Sequence, residues 1–156
     1  STLSSSSAAS DVYKRQVEIG VHEISFFTSF HSERKYVRMD RLEKIVLAAM
    51  KQSMKSFLPK LNALTSFENL IDRSLADEKY IAFIDETVHD LFSQKINAGA
   101  DIFILIGPEG DFTKKEVGLS VARGFTPVSL GEARLRTETA GVVACHTVHL
   151  INELSR

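Results

Sequence analysis

Residues 102–106 read IFILI, large apolar side chains with no polar position among them. A strand with one face in water alternates apolar and polar residues, whereas an unbroken apolar run belongs to a strand covered on both faces. Such a strand needs helices above and below it. The chain is therefore predicted to be an α/β domain built on a parallel sheet, with IFILI as its central strand. The neighbouring segments agree. Residues 24–30 (ISFFTSF) and 80–84 (YIAFI) predict strands, and 60–64 and 127–130 predict short ones. Helices are predicted between them. Asp40 with Glu43 reads as a capping box before a stripe of Leu42, Ile45, Val46, Ala49, Met50 and Ser53. Thr65 with Glu68 opens a short helix through Leu75, residues 88–96 form another, and Thr113 with Glu116 opens one that Gly124 ends. Residues 137–154 form a long last helix with Thr137 as its N-cap.

At 156 residues the chain is the size of one domain. Residues 1–16, STLSSSSAASDVYKRQ, are dominated by Ser and Ala at the start and are expected to be a non-native or disordered tail, leaving 17–156 as the domain. A single cysteine, Cys145, excludes an internal disulfide, and no apolar run approaches the roughly 20 residues of a membrane helix. A reducing cytoplasm without membrane attachment fits both. Net charge is −1, yet residues 34–60 hold eight bases against two acids and residues 61–111 hold ten acids against three bases. A basic block is either the footprint of a polyanion or a solvated helix face. His146 and His149 sit at helical spacing beside Cys145 and Glu153, but no second ligand cluster accompanies them and no metal is expected.

Ligands of open α/β sheets bind beyond the carboxyl ends of the strands. Two loops there are distinctive. Residues 107–112 read GPEGDF: two glycines admit close backbone approach, Pro108 stiffens the turn, and the following helix offers its amides to an anion. No Gly-Lys-Ser/Thr follows, so this is no Walker loop, and the dinucleotide fingerprint is lacking too. The alternative is a tight strand-to-helix turn. Residues 130–140 read LGEARLRTETA, two arginines, a glutamate and two threonines at a helix entry. Capping explains Thr137 but not both arginines.

Together these segments resemble the ribosomal RNA uridine-N3 methyltransferase family, the RsmE-like branch of the SPOUT superfamily, whose usual pattern is close to IGPEGGF followed by LG-x-x-ILRTETA. The likeness extends back to VEIGVHEI at residues 17–24, to Ser32-Glu33-Arg34 and to Lys51-Gln52-Ser53. It implies a SPOUT methyltransferase domain with a C-terminal trefoil knot, S-adenosyl-L-methionine as cofactor, small-subunit (16S) ribosomal RNA as partner, a homodimer, and no metal. Carried over by position, Asp85, Ile106, Gly107, Gly110, Leu130, Gly131, Leu135, Thr137 and Ala140 would surround the cofactor. Uracil N3 attacks only once its proton leaves and charge spreads onto the flanking oxygens. A fixed guanidinium stabilises that charge, which gives Arg136 the role, with Glu138 orienting it or passing the proton. An ion pair that merely fixes the loop is the alternative for these two. Arg34, Arg38, Gln52, Lys55 and Arg134 are the RNA-binding candidates. Asp111 replaces the commoner second glycine, and Arg134 stands where an apolar residue is common. The family also carries an N-terminal PUA-like RNA-binding domain and a first strand that find no match here. A non-catalytic RNA-binding or dimerisation fragment is therefore the competing reading, and another α/β nucleotide-binding enzyme a third.

Overall fold

The computed structural model describes residues 7–32, 38–55 and 57–156. Helices and strands alternate in the order α1 (Ser7–Ile19), β1 (Glu23–Thr28), α2 (Met39–Gln52), β2 (Lys60–Ser66), α3 (Phe67–Arg73), β3 (Glu78–Ala82), α4 (Phe92–Lys95), β4 (Ile102–Leu105), α5 (Lys114–Ala122), β5 (Thr126–Val128) and α6 (Thr137–Leu154). All strand pairs are parallel, as the apolar runs predicted. They form two sheets, β1-β2 and β4-β3-β5.

The alternating side chains of β3 and β4 explain the second sheet. Ile81 and Leu105 point to one cluster with Phe27, Phe67, Phe112 and Phe125. Tyr80 and Ile106 point to the opposite cluster with Phe92, Val128, Ala140 and Ala144, under α4 and α6. Coverage on both faces is what IFILI demanded. Its central position is not borne out: β3 is the middle strand and β4 lies at the edge. An all-apolar run reports covered faces and carries no information about neighbours along the hydrogen-bonding direction. Beside β4, Ile102, Phe103 and Ile104 line a cavity of about 1040 Å³ shared with α1, β2 and α6.

From Ser7 onward the expected tail is helical. Helix α1 packs on α2 and α6. Tyr13 and Val17 are buried one turn apart, and Tyr13 meets Phe26 edge-on with centroids 5.6 Å apart. Gln16 is buried between them against Gly141, where any Cβ would stand 2.8 Å from its Nε2. Apolar anchors at helical spacing outweigh a composition that reads as linker.

Other boundaries shift for local reasons. Helix α2 begins at Met39 with Arg38 as N-cap and no side-chain cap bond, so the Asp40–Glu43 box does not form. Its stripe stands, with Val46 and Ala49 buried. Ser66, one residue after the predicted Thr65, caps α3 by accepting from Asn69 N at 3.2 Å. The Thr113–Glu116 box forms as read, and Gly124 closes α5 at φ +89°. The 88–96 helix shrinks to Phe92–Lys95. Residues 90–92 are drawn instead onto Ser129, whose amide donates to Asp90 O at 2.8 Å while its own carbonyl accepts from Phe92 N at 2.9 Å.

Candidate functional site

Strands β3, β4 and β5 run parallel, so the segments leaving them emerge at one end of the sheet. They are residues 83–91, 107–113 and 129–136. Besides the Ser129–Asp90 bond between the first and third, two side-chain bonds tie the second in. Asp111 Oδ2 accepts from Ile84 N at 3.1 Å, joining the second loop to the first. Thr137 Oγ1 donates to Gly107 O at 2.8 Å, joining the start of α6 to the second loop. Thr137 is thus the first residue of α6 rather than its cap, which is Arg136. Its hydroxyl satisfies a loop carbonyl instead of the helix amides.

Most of the predicted cofactor residues do come together. Ile106, Leu130, Leu135 and Ala140 share one apolar cluster with Tyr80, Phe92 and Val128. Gly107 and Thr137 adjoin it through their hydrogen bond. Gly131 turns the chain at φ +138° with open space where a side chain would stand. Asp85 sits in the first loop, accepting from Thr87 N at 2.9 Å and Thr87 Oγ1 at 2.7 Å, and these bonds hold its carboxyl below the ordinary value.

The glycines of GPEG have another reason than the one read from sequence. A Cβ on Gly107 would stand 3.0 Å from the Phe112 ring, and one on Gly110 would stand 2.9 Å from His31 Cβ. Both positions are small because protein side chains lie over them. The residue in the left-handed region is Asp111, at φ 63°, a conformation Asp tolerates better than most non-glycine residues. Burial raises the Asp111 carboxyl above its ordinary value, while the amides of Phe112 and Ile84 and the charge of Arg134 pull the other way. The extra acid at this position is therefore a bolt between two loops.

Arg136 is exposed at the mouth of α6, and Glu138 is half-buried in its first turn. The RNA candidates do not form one patch. Arg34 lies outside the described residues. Arg38 and Gln52 are exposed at opposite ends of α2, about 21 Å apart along a helix of this length, and Arg38 Nη2 lies 3.9 Å from Asp40 Oδ2. Lys55 is half-buried on the 1040 Å³ cavity, its Nζ beside Gly20 ahead of β1, whereas exposed Arg134 belongs to the third loop.

Sequence reading missed the segment after β1. Residues 24–30 were expected as strand, but the strand stops at Thr28 because Ser29 and Ser32 close a turn, with Ser32 N on Ser29 O at 3.1 Å and Ser29 N on Ser32 Oγ at 2.9 Å. Phe30 leaves this turn 76% exposed. Its amide donates to Glu116 Oε2 at 3.1 Å. Glu116 is buried, and its other oxygen accepts from Thr113 N at 2.8 Å to complete the α5 capping box. One carboxylate therefore holds both the 107–113 loop and the turn after β1. The capping-box motif gave away the first partner; nothing in the sequence pointed to the second.

Among the described residues no group of three or more His, Cys, Asp or Glu could hold a metal, and no helix is long and apolar enough to cross a membrane.

Residues 3–149 match the RNA methyltransferase domain family. The chain is 30% identical over 120 residues to the ribosomal RNA small subunit methyltransferase E of Synechocystis sp., covering 74% of this chain and 40% of that protein. It is similar in fold to a probable rRNA-methyltransferase from Porphyromonas gingivalis, with TM-score 0.90 and 43% identity over 98% of this chain and 66% of the other. A ribosomal RNA small subunit methyltransferase E from Neisseria gonorrhoeae, solved bound to S-adenosyl methionine, is similar with TM-score 0.82 and 28% identity over 96% of this chain and 63% of that one. A protein of the same description from Mesomycoplasma hyopneumoniae is 32% identical over 135 residues, 83% of this chain and 58% of its own length. The chain thus spans about half the length of the curated relatives it matches.

Proposed function

The chain belongs to the RNA methyltransferase domain family, and from that premise we propose that it forms the catalytic domain of an S-adenosylmethionine-dependent enzyme that methylates N3 of a uridine in small-subunit ribosomal RNA. The observation that carries the reading is the bolting of the three strand-end loops by Thr137–Gly107 and Ile84–Asp111, over an apolar floor of Ile106, Leu130, Leu135 and Ala140. The floor suits a planar adenine. The Asp85 and Asp111 carboxylates at the loops suit a cation, so the residues present fit the cofactor. When bound, that cofactor supplies a methyl group already activated by its positive sulfur.

The remaining work falls to the chain. Loops fixed before binding keep the approach of the reacting nitrogen in line and lower the entropic part of the barrier. In this reading Arg136, exposed at the N-cap of α6, neutralises charge on the uracil oxygens as the N3 proton departs, and Glu138, two residues later on the same first turn, orients it or takes that proton. We further propose that the strand-end loops are threaded as a trefoil knot, that two copies pair, and that the enzyme works on ribosomal subunits in the cytoplasm.

Two measurements test this. Calorimetry should detect S-adenosylmethionine binding to the chain in the presence of a chelator. Labelled methyl groups should appear on N3 of uridine when the protein, extended to the length of its relatives, meets small ribosomal subunits. Arg136→Ala in that longer protein should keep cofactor affinity and lose more than tenfold in transfer, or ~1.4 kcal/mol of transition-state stabilisation. Cofactor binding without transfer, even in the longer protein, overturns the enzyme assignment in favour of a non-catalytic RNA-binding module.

A further inference from the structure

The turn after β1 presents an aromatic side chain beside the proposed site for no reason the fold itself supplies. We propose that Phe30, braced by His31, is a stacking platform for an RNA base at the mouth of the strand-end loops; this rests on reading the chain as an RNA-directed enzyme.

Three observations carry the inference. First, Phe30 is 76% exposed although its backbone is firmly held. Its amide is bonded to a buried carboxylate, and Ser29 Oγ and Ser32 Oγ lie 3.0 Å apart across the closed turn. A large apolar ring kept in water on a fixed backbone offers a flat surface without the ordering cost of a mobile loop. Second, the His31 ring stands edge-on to Phe30, with centroids 5.0 Å apart and planes at 87°. That contact limits the Phe30 ring to a narrow range of orientations while leaving its exposure intact. Third, the place is specific. His31 lies directly on Gly110, where a Cβ would come within 2.9 Å, so the aromatic pair rests on the 107–112 loop. In the three loops themselves Ile84 is also 56% exposed, but it is aliphatic and offers no flat ring, while Met54 and Leu75 belong to other segments.

Any base has a π-face, so an exposed ring binds single-stranded nucleic acid with little regard to sequence, and losing one such ring typically weakens binding about tenfold. A second copy of this chain is the competing occupant, because an exposed aromatic also serves self-association.

The chain contains no tryptophan, so Phe30→Trp creates a single tryptophan at the site, which is excited selectively over the three tyrosines. Titration with a short uridine oligonucleotide should quench it saturably. An abasic ribose-phosphate oligonucleotide of equal length should bind at least fivefold more weakly, separating stacking from phosphate attraction. Phe30→Ala should weaken binding of the uridine oligonucleotide about tenfold and Phe30→Tyr by less than twofold, with thermal midpoints and S-adenosylmethionine affinity unchanged in both. Equal binding of the two oligonucleotides, or a Phe30→Ala affinity within twofold of wild type, overturns the platform. Emission that shifts with protein concentration but not with RNA overturns it in favour of a second copy. The methyltransferase reading fails separately: quenching by RNA in a chain that binds no S-adenosylmethionine leaves the platform standing and removes the enzyme.

Discussion

Replacing Glu116 by alanine should destabilise the protein more than an ordinary helix-cap change, because the carboxylate serves two segments. Loss of the bond to Thr113 N breaks the α5 capping box, worth about 1 kcal/mol. Loss of the bond to Phe30 N removes a charge-assisted contact worth about 2 kcal/mol and strands a backbone donor. The variant is relieved of desolvating a buried carboxylate, which offsets part of the sum, so the expected loss is about 2–3 kcal/mol. For a domain of this size that lowers the thermal midpoint by about 4–12 °C. Thr113→Ala is the internal reference. It deletes only the hydroxyl that accepts from Glu116 N at 3.1 Å, and should cost about 1 kcal/mol, or about 2–4 °C. Melts followed by circular dichroism on the wild type, both single variants and the double variant separate the terms. If Glu116→Ala melts no lower than Thr113→Ala, the bond to Phe30 contributes nothing and the turn after β1 is held some other way.

Gly110→Ala should cost about 1–3 kcal/mol by driving a Cβ into His31. Since the nearest atom is His31 Cβ, His31→Gly should rescue the midpoint in that background and His31→Ala should not; rescue by both would disprove the contact. Burial holds the Asp111 carboxyl above its ordinary value of 3.8, so its ionised form works against the fold above that value and the penalty fades as pH falls through the titration. Asp111→Asn should therefore gain on wild type at pH 7 relative to pH 4, and a pH-independent difference between their denaturation midpoints would contradict this. Burial pushes the Cys145 thiol up to about 11, leaving roughly a hundredfold less thiolate at neutral pH than an ordinary cysteine, so a thiol-specific dye should label the native protein far more slowly than the unfolded one. Equal labelling rates would show the thiol to be accessible.

How much of this was legible in the sequence depended on the kind of signal. Apolar runs placed β1, β3 and β4 within a few residues, and the capping box of α5 with its closing glycine was read correctly, because each rests on neighbours along the chain. The edge position of β4 depends on strand order, which no local pattern encodes. Helix α1 was missed because its buried Tyr13, Gln16 and Val17 are interleaved with polar residues and preceded by serines. At the site, the residue types and their grouping on two loops were legible from the motif. The reason for each was not: Gly110 answers to His31 and Thr137 to Gly107, partners 79 and 30 positions away in a sequence that gives no hint of either meeting.

The division into two sheets bears on how the molecule breathes. Among the described residues no ladder of backbone hydrogen bonds links β1-β2 to β4-β3-β5; side chains such as Phe27 and Leu105 in one cluster make the connection. Packed side chains part by small displacements, whereas a ladder has to unzip. Amide hydrogens of the two sheets are thus free to exchange with solvent as two cooperative groups rather than as one. The turn bearing Phe30 follows the first group and the 107–113 loop follows the second, so the Glu116 carboxylate that joins them spans the boundary. Opening along that boundary would widen the mouth of the strand-end loops while leaving each sheet's own ladder closed.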